Sequence, residues 1–144
     1  MDPRPSQDVR ESLRLDRSVE APRQARMGLE GLRERVPADL FEDVRLLVSE
    51  LVTNSVLHGG ADQRSWVEVN YELIGGALRV EVADPGPGFS ATASHVPGSD
   101  DVSGRGLYIV RTIADRWGVD GLGVTRVWFE FDVPELFVRS ASRV

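Results

Sequence analysis

The stretch Leu46–Gly60, LLVSELVTNSVLHGG, decides how the rest of the chain is read. Glu50, Asn54 and His58 stand in it at every fourth position. On an α-helix a step of four overshoots a full turn by about 40°, so the three polar side chains form one slowly drifting stripe. Leu46, Leu47, Leu51 and Val52 fill much of the remaining circumference and are expected to face a core. A carboxylate, an amide and an imidazole on an otherwise apolar helix are costly to bury without partners. A polar ligand or a metal ion would account for them. A solvated helix edge, with His58 as a C-terminal cap on the helix dipole, would account for them equally well. Two motifs farther along bear on the choice.

The bulk numbers narrow the classes. A chain of 144 residues is expected to form one domain with room for a real core. Its 41% hydrophobic and 28% charged content is ordinary for a globular protein. No apolar run reaches the ~18 residues of a membrane span, and MDPRPSQDVR lacks the apolar segment of a secretory signal. A cytoplasmic protein without a membrane partner is expected. With no cysteine, disulfides, thiolate zinc sites and a cysteine nucleophile are excluded. Two histidines argue against a His-rich metal site. All 17 basic residues are arginine. A P-loop and a eukaryotic-type protein kinase both need a lysine at the phosphates, so neither is present. The net charge of −6, with no basic stripe, argues against a nucleic-acid partner.

Upstream of the central helix, residues 1–11 are polar and aperiodic and read as a tail. Ser12–Val19 sets Leu13 and Leu15 against Arg14, Asp16 and Arg17, the pattern of a half-buried edge strand. Ala21-Pro22 opens a helix whose apolar spacing is Ala25, Leu29, Leu32, Val36. Gly28 and Gly31 weaken that helix and Pro37 ends it. Asp39 is the expected N-cap of the central helix, and Gly59-Gly60 its stop.

Downstream, Trp66–Leu73 alternates strictly, Ile74-Gly75-Gly76 turns, and Ala77–Ala83 returns with Leu78, Val80 and Val82 inward, forming a hairpin. Asp84-Pro85-Gly86-Pro87-Gly88-Phe89 follows, then the patternless Ser90–Ser103. A loop this long inside a compact domain is usually functional or disordered. Gly104-Arg105-Gly106 leads into a third helix with Leu107, Ile109, Val110, Ile113, Ala114 and Trp117 on its apolar face. Gly118–Gly123 reads as a turn, Val124–Val133 as the last strand, and residues 136–144 as a second tail. Hairpins and adjacent helices exclude a strictly alternating parallel fold. An α+β, two-layer sandwich is expected, with a mixed, mostly antiparallel sheet and helices on one face.

Asp84-x-Gly86-x-Gly88 closes a buried strand. An aspartate there can accept a hydrogen bond from an exocyclic amine such as adenine N6, and the glycines let a ligand lie against the backbone. A Pro-Gly turn capped by aspartate would have the same sequence. Gly104-x-Gly106 opens a helix, where free N–H groups and the helix dipole favour an anion.

In order, spacing and context the three motifs resemble the Bergerat (GHKL) ATP-binding fold of histidine-kinase catalytic domains, gyrase and Hsp90, over about residues 12–135. SELVTNSVLHGG, VADPGPGF and SGRGLYIVRTIADRWGV resemble, more narrowly, the bacterial anti-sigma factor serine/threonine kinases of the RsbW and SpoIIAB type. The resemblance implies ATP and Mg²⁺ as cofactors. It implies Glu50 as general base toward a serine hydroxyl, and Asn54 as the Mg²⁺ ligand. His58 supports the phosphate side, Asp84 binds adenine above Gly86 and Gly88, and Thr125 helps bind adenine. Gly104, Arg105, Gly106 and Leu107 surround the phosphates, with residues 90–103 as the ATP lid. Implied partners are a sigma factor, an anti-anti-sigma protein of STAS type and a second copy in a homodimer. The dimer contact is expected from Ser12–Val36, with Arg14 and Arg17 exposed. Some members carry an arginine just before the Gly box, where this chain has Asp100, Asp101 and Val102. That departure bears on catalysis more than on binding, and leaves a nucleotide-gated regulator without kinase activity as the alternative.

Overall fold

The computed structural model describes residues 8–58, 65–85, 102–121 and 124–134, with backbone alone for His58 and residues 102–106. Five strands and three helices make up this part. They are β1 (Val9–Asp16), α1 (Ala21–Gly28), α2 (Ala38–His58), β2 (Trp66–Ile74), β3 (Ala77–Asp84), α3 (Val102–Ile113), β4 (Arg116–Gly121) and β5 (Thr125–Asp132). The strands lie in the order β1-β2-β3-β5-β4, and every described pairing is antiparallel.

One face of the sheet carries the core. Val67, Val69, Tyr71 and Leu73 of β2, Leu78, Val80 and Val82 of β3, and Val127, Phe129 and Phe131 of β5 are all buried. Their neighbours in sequence point to the other face, which is laced by cross-strand ion pairs such as Arg14–Glu68 at 2.9 Å and Arg116–Glu130 at 2.8 Å. The alternation of apolar and charged residues therefore decides which face the helices cover. Leu47, Val48, Leu51 and Val52 of α2 complete the core from above. Leu46, expected to face inward, is 43% exposed because it lies off that stripe.

Local chemistry sets the element ends. Ser18 Oγ accepts from the Glu20 N–H and its carbonyl from the Ala21 N–H, so the chain turns into α1 at Pro22. That helix stops at Gly28, short of the expected span to Val36, and a single 3₁₀ turn at Glu30–Leu32 follows. Gly28 allows the close approach: a Cβ there would meet Leu13 Cδ2 at 2.5 Å. Asp39 is not the cap of α2. The helix starts at Ala38, and the Phe41 N–H donates to the Pro37 carbonyl. Gly75 and Gly76 both have positive φ, at 60° and 81°, as a two-residue hairpin turn requires.

Two strands differ from the reading. β1 begins at Val9, not Ser12, paired with Leu73. The larger difference is β4: Arg116–Gly121 is an edge strand, not a helix end and turn. The third helix ends at Ile113, after which the Asp115 N–H donates to the Glu130 carbonyl and its carboxylate accepts from the Asp132 N–H. Gly118 serves the sheet, because the Trp128 indole lies across it where a Cβ would come within 2.6 Å of the ring.

Candidate functional site

The buried polar or charged side chains among the described residues are five: Arg17, Asn54, Ser55, Asp84 and Thr125. Asn54 and Asp84 belong to the motifs, and Thr125 is implied by the family resemblance. Each terminates an apolar row. Asp84 continues the inward row of Leu78, Val80 and Val82 at the end of β3, and Thr125 starts the inward row of Val127, Phe129 and Phe131. The two are direct cross-strand partners. The rows thus converge on a polar corner at one end of the sheet, and α2 packs over β2 and β3.

Asn54 lies on α2 one turn after Glu50 and is 2% exposed. Neither its Oδ1 nor its Nδ2 makes a hydrogen bond within the described structure, nor does the buried Ser55 hydroxyl beside it. An amide buried without partners costs about 1–3 kcal/mol. Folding alone does not repay that, and a ligand bringing an oxygen-hungry cation would. Glu50 is partly exposed.

Arg17 is the residue that sequence reading placed wrongly. Expected on an exposed surface, its side chain is 4% exposed, with Nη2 3.6 Å from Asp84 Oδ1. The signal was its parity: Arg17 continues the inward row of Leu13 and Leu15 just past the end of β1, while Arg14 and Asp16 take the other face. Ser55 was missed in the same way, since it extends the stripe of Val48, Leu51 and Val52 by one turn. Arg14 does face outward, paired with Glu68 and stacked on Trp66 at 4.1 Å.

The remaining expected residues divide in two. Gly104, Arg105 and Gly106 lie in the opening turns of α3, which begins at Val102, so Val102 and Ser103 belong to this helix. Leu107 is buried in the core. Gly86, Gly88, the Gly59-Gly60 stop, lid residues 90–101 and the tails 1–7 and 136–144 lie outside the described residues, as does the His58 side chain.

The model of the histidine kinase-like ATPase domain matches residues 15–130. The chain belongs to that family. Within the family this ATPase domain is of the RsbW type. A serine-protein kinase RsbW from Staphylococcus epidermidis is 31% identical over 118 residues, covering 72% of this chain and 74% of that protein. The RsbW of Bacillus subtilis is 31% identical over 104 residues. The match spans just under two thirds of the Bacillus relatives, 65% of their length. Among solved structures, the RsbU and RsbW domains of a Mycobacterium tuberculosis protein superpose with a TM-score of 0.68 at 21% identity, over 87% of this chain and 32% of that one. A blue-light activated histidine kinase from Erythrobacter litoralis superposes with a TM-score of 0.55 at 26% identity, over 68% of this chain and 32% of that one. The α+β sandwich is thus the fold of this family. No described helix is long and apolar enough to cross a membrane.

Proposed function

We propose that this domain binds ATP with Mg²⁺ in the polar corner and transfers the γ-phosphoryl group to a serine of an anti-anti-sigma partner of STAS type. We further propose that it sequesters a sigma factor until the partner is unmodified, and that it works as a cytoplasmic homodimer. The observation that carries this reading is the buried Asn54 amide without a hydrogen-bond partner, on a helix that also presents Glu50. The similarity to RsbW serine-protein kinases supports the same assignment.

The residues present fit the cofactor. Asn54 Oδ1 would hold Mg²⁺, which takes oxygen ligands and needs few from protein beyond phosphate. Bound there, the ion would neutralise charge on the phosphates. Asp84 would accept the adenine 6-amino hydrogen, with Thr125 beside it and Gly86 and Gly88 beneath the base. The free N–H groups that open α3 are those of Val102, Ser103 and Gly104, at the start of the Gly box, and they suit the phosphates; residues 90–101 would close over them. Glu50 would take the proton of the serine hydroxyl as its oxygen bonds to the γ-phosphorus and the bridging bond to ADP breaks.

Transfer of radiolabelled γ-phosphate to a purified STAS-type partner tests the reading. Glu50→Gln is expected to slow transfer by about 10²–10⁴-fold while leaving Mg·ATP affinity near wild type. Unchanged transfer would remove Glu50 from the mechanism. ATP binding with no transfer by the wild type would leave the nucleotide-gated regulator, which the absence of an arginine before the Gly box favours.

A further inference from the structure

A buried arginine beside the residue assigned to adenine needs an account of its own. Arg17 directly follows β1, and its N–H donates to the Ser65 carbonyl at 2.9 Å, which prolongs the β1–β2 pairing by one rung. From there the side chain reaches past β2 to the end of β3, two strand spacings or about 10 Å away. Nη2 ends 3.6 Å from Asp84 Oδ1, an ion-pair contact in which Nη2 makes no hydrogen bond within the described structure, and the two side chains are 4% and 6% exposed. Arginine does not give up its proton in proteins, so the corner carries a permanent buried cation. A buried ion pair is generally no more stabilising than a hydrophobic pair of similar volume. Its presence at the end of an otherwise apolar row is therefore poorly explained by stability.

We propose that Arg17 is a positioning residue for base recognition. Its buried positive charge, in ion-pair contact with Oδ1, holds the Asp84 carboxylate in place electrostatically, so that its acceptor lone pairs stay aimed at a 6-aminopurine. A carboxylate carries about four lone-pair sites on its two oxygens, so engagement at Oδ1 is compatible with accepting an amine hydrogen as well. A pre-aimed charged acceptor rewards a ligand that donates there and penalises one that presents a carbonyl in its place. The inference rests on the nucleotide-site reading above, and adds to it the residue that sets amine selectivity.

The test compares Mg·ATP with Mg·ITP, whose base has a 6-oxo group in place of the amine, by calorimetry on the full chain. Wild type is expected to prefer ATP by about tenfold or more. Arg17→Met is expected to bring ATP down to the ITP level while ITP affinity changes little. Arg17→Lys, which keeps the charge but not the reach of the guanidinium, is expected to retain part of the preference at near-wild-type melting temperature. Were Arg17→Met too unstable to purify, the loss of part of the preference in Arg17→Lys carries the test alone. A preference unchanged in either folded variant, or ATP and ITP affinities falling in parallel, would make Arg17 purely structural and overturn the proposal. Wild type binding both nucleotides equally would overturn it while sparing the nucleotide site. Wild type binding neither would overturn both.

Discussion

At the scale of single residues, the site is written in positions where chemistry and burial disagree. Asp84 was legible because it closes a buried strand ahead of two glycines, and Asn54 because it interrupts an apolar helix; Thr125 came only from the family resemblance. Arg17 follows the same rule, yet its charge outweighed its parity in the reading. The Arg17–Asp84 pair also changes how the obvious control behaves. Asp84→Asn replaces one acceptor oxygen by an NH2 donor and leaves the buried Arg17 guanidinium without its carboxylate. Stripping one partner from a buried pair costs about 3–5 kcal/mol. Urea denaturation of Asp84→Asn is expected to show a loss of that size, so its nucleotide affinity has to be measured where the variant is still folded. A loss below about 1 kcal/mol would mean that the pair is solvated and that Arg17 does not depend on Asp84.

At the scale of elements, periodicity located β2, β3, β5 and α2 closely, because each has a long one-faced pattern. It failed at β4, where Trp117-Gly118 resembles the end of an amphipathic helix. What decides the matter is nonlocal. Gly118 pairs with Trp128 of β5, and the indole occupies the space above it. Arg79 stacks on the same ring at 4.3 Å, which limits its freedom to move away. Gly118→Ala is therefore expected to destabilise by about 1–3 kcal/mol and to shift Trp128 fluorescence. A neutral substitution would show that the ring swings aside freely. The Gly104-x-Gly106 box, by contrast, was legible as a motif, but its spacing alone does not say which turn of α3 it occupies.

For the whole molecule, the outer sheet face sets the response to acid. The Glu68 carboxyl is held below its ordinary value by the Asn70 amide first and then by Arg14. Glu130 is held low by Arg116 and Arg79, and Asp132 by Arg116. A depressed folded-state pKa gives stability that is present above the unfolded value and lost as pH falls through the folded one. Asp43 works the other way: burial, aided by Asp39, raises its pKa, so its contribution improves on acidification. Glu30 is also held low, by Arg33, and four depressed groups against one raised group predict a melting temperature that is level near neutral pH and falls below about pH 4.5. Arg116→Met, which takes the shared cation from Glu130 and Asp132, is expected to flatten that acid limb. An unchanged limb would place the acid sensitivity elsewhere.

The central claim is that the Asn54 amide is buried without a partner because a nucleotide-bound magnesium ion is what it serves. Replacing a buried, unpaired polar group by an apolar one of similar shape is neutral or stabilising, and sites kept for function are where stability is given up. The most direct measurement is therefore one variant with two readouts: melting temperature and calorimetric Mg·ATP affinity for Asn54→Leu beside wild type. The account predicts that wild type binds, and that Asn54→Leu melts at or above the wild-type temperature while binding at least about tenfold more weakly. A folded Asn54→Leu that binds Mg·ATP as wild type does, or a folded wild type that does not bind it, would contradict the account.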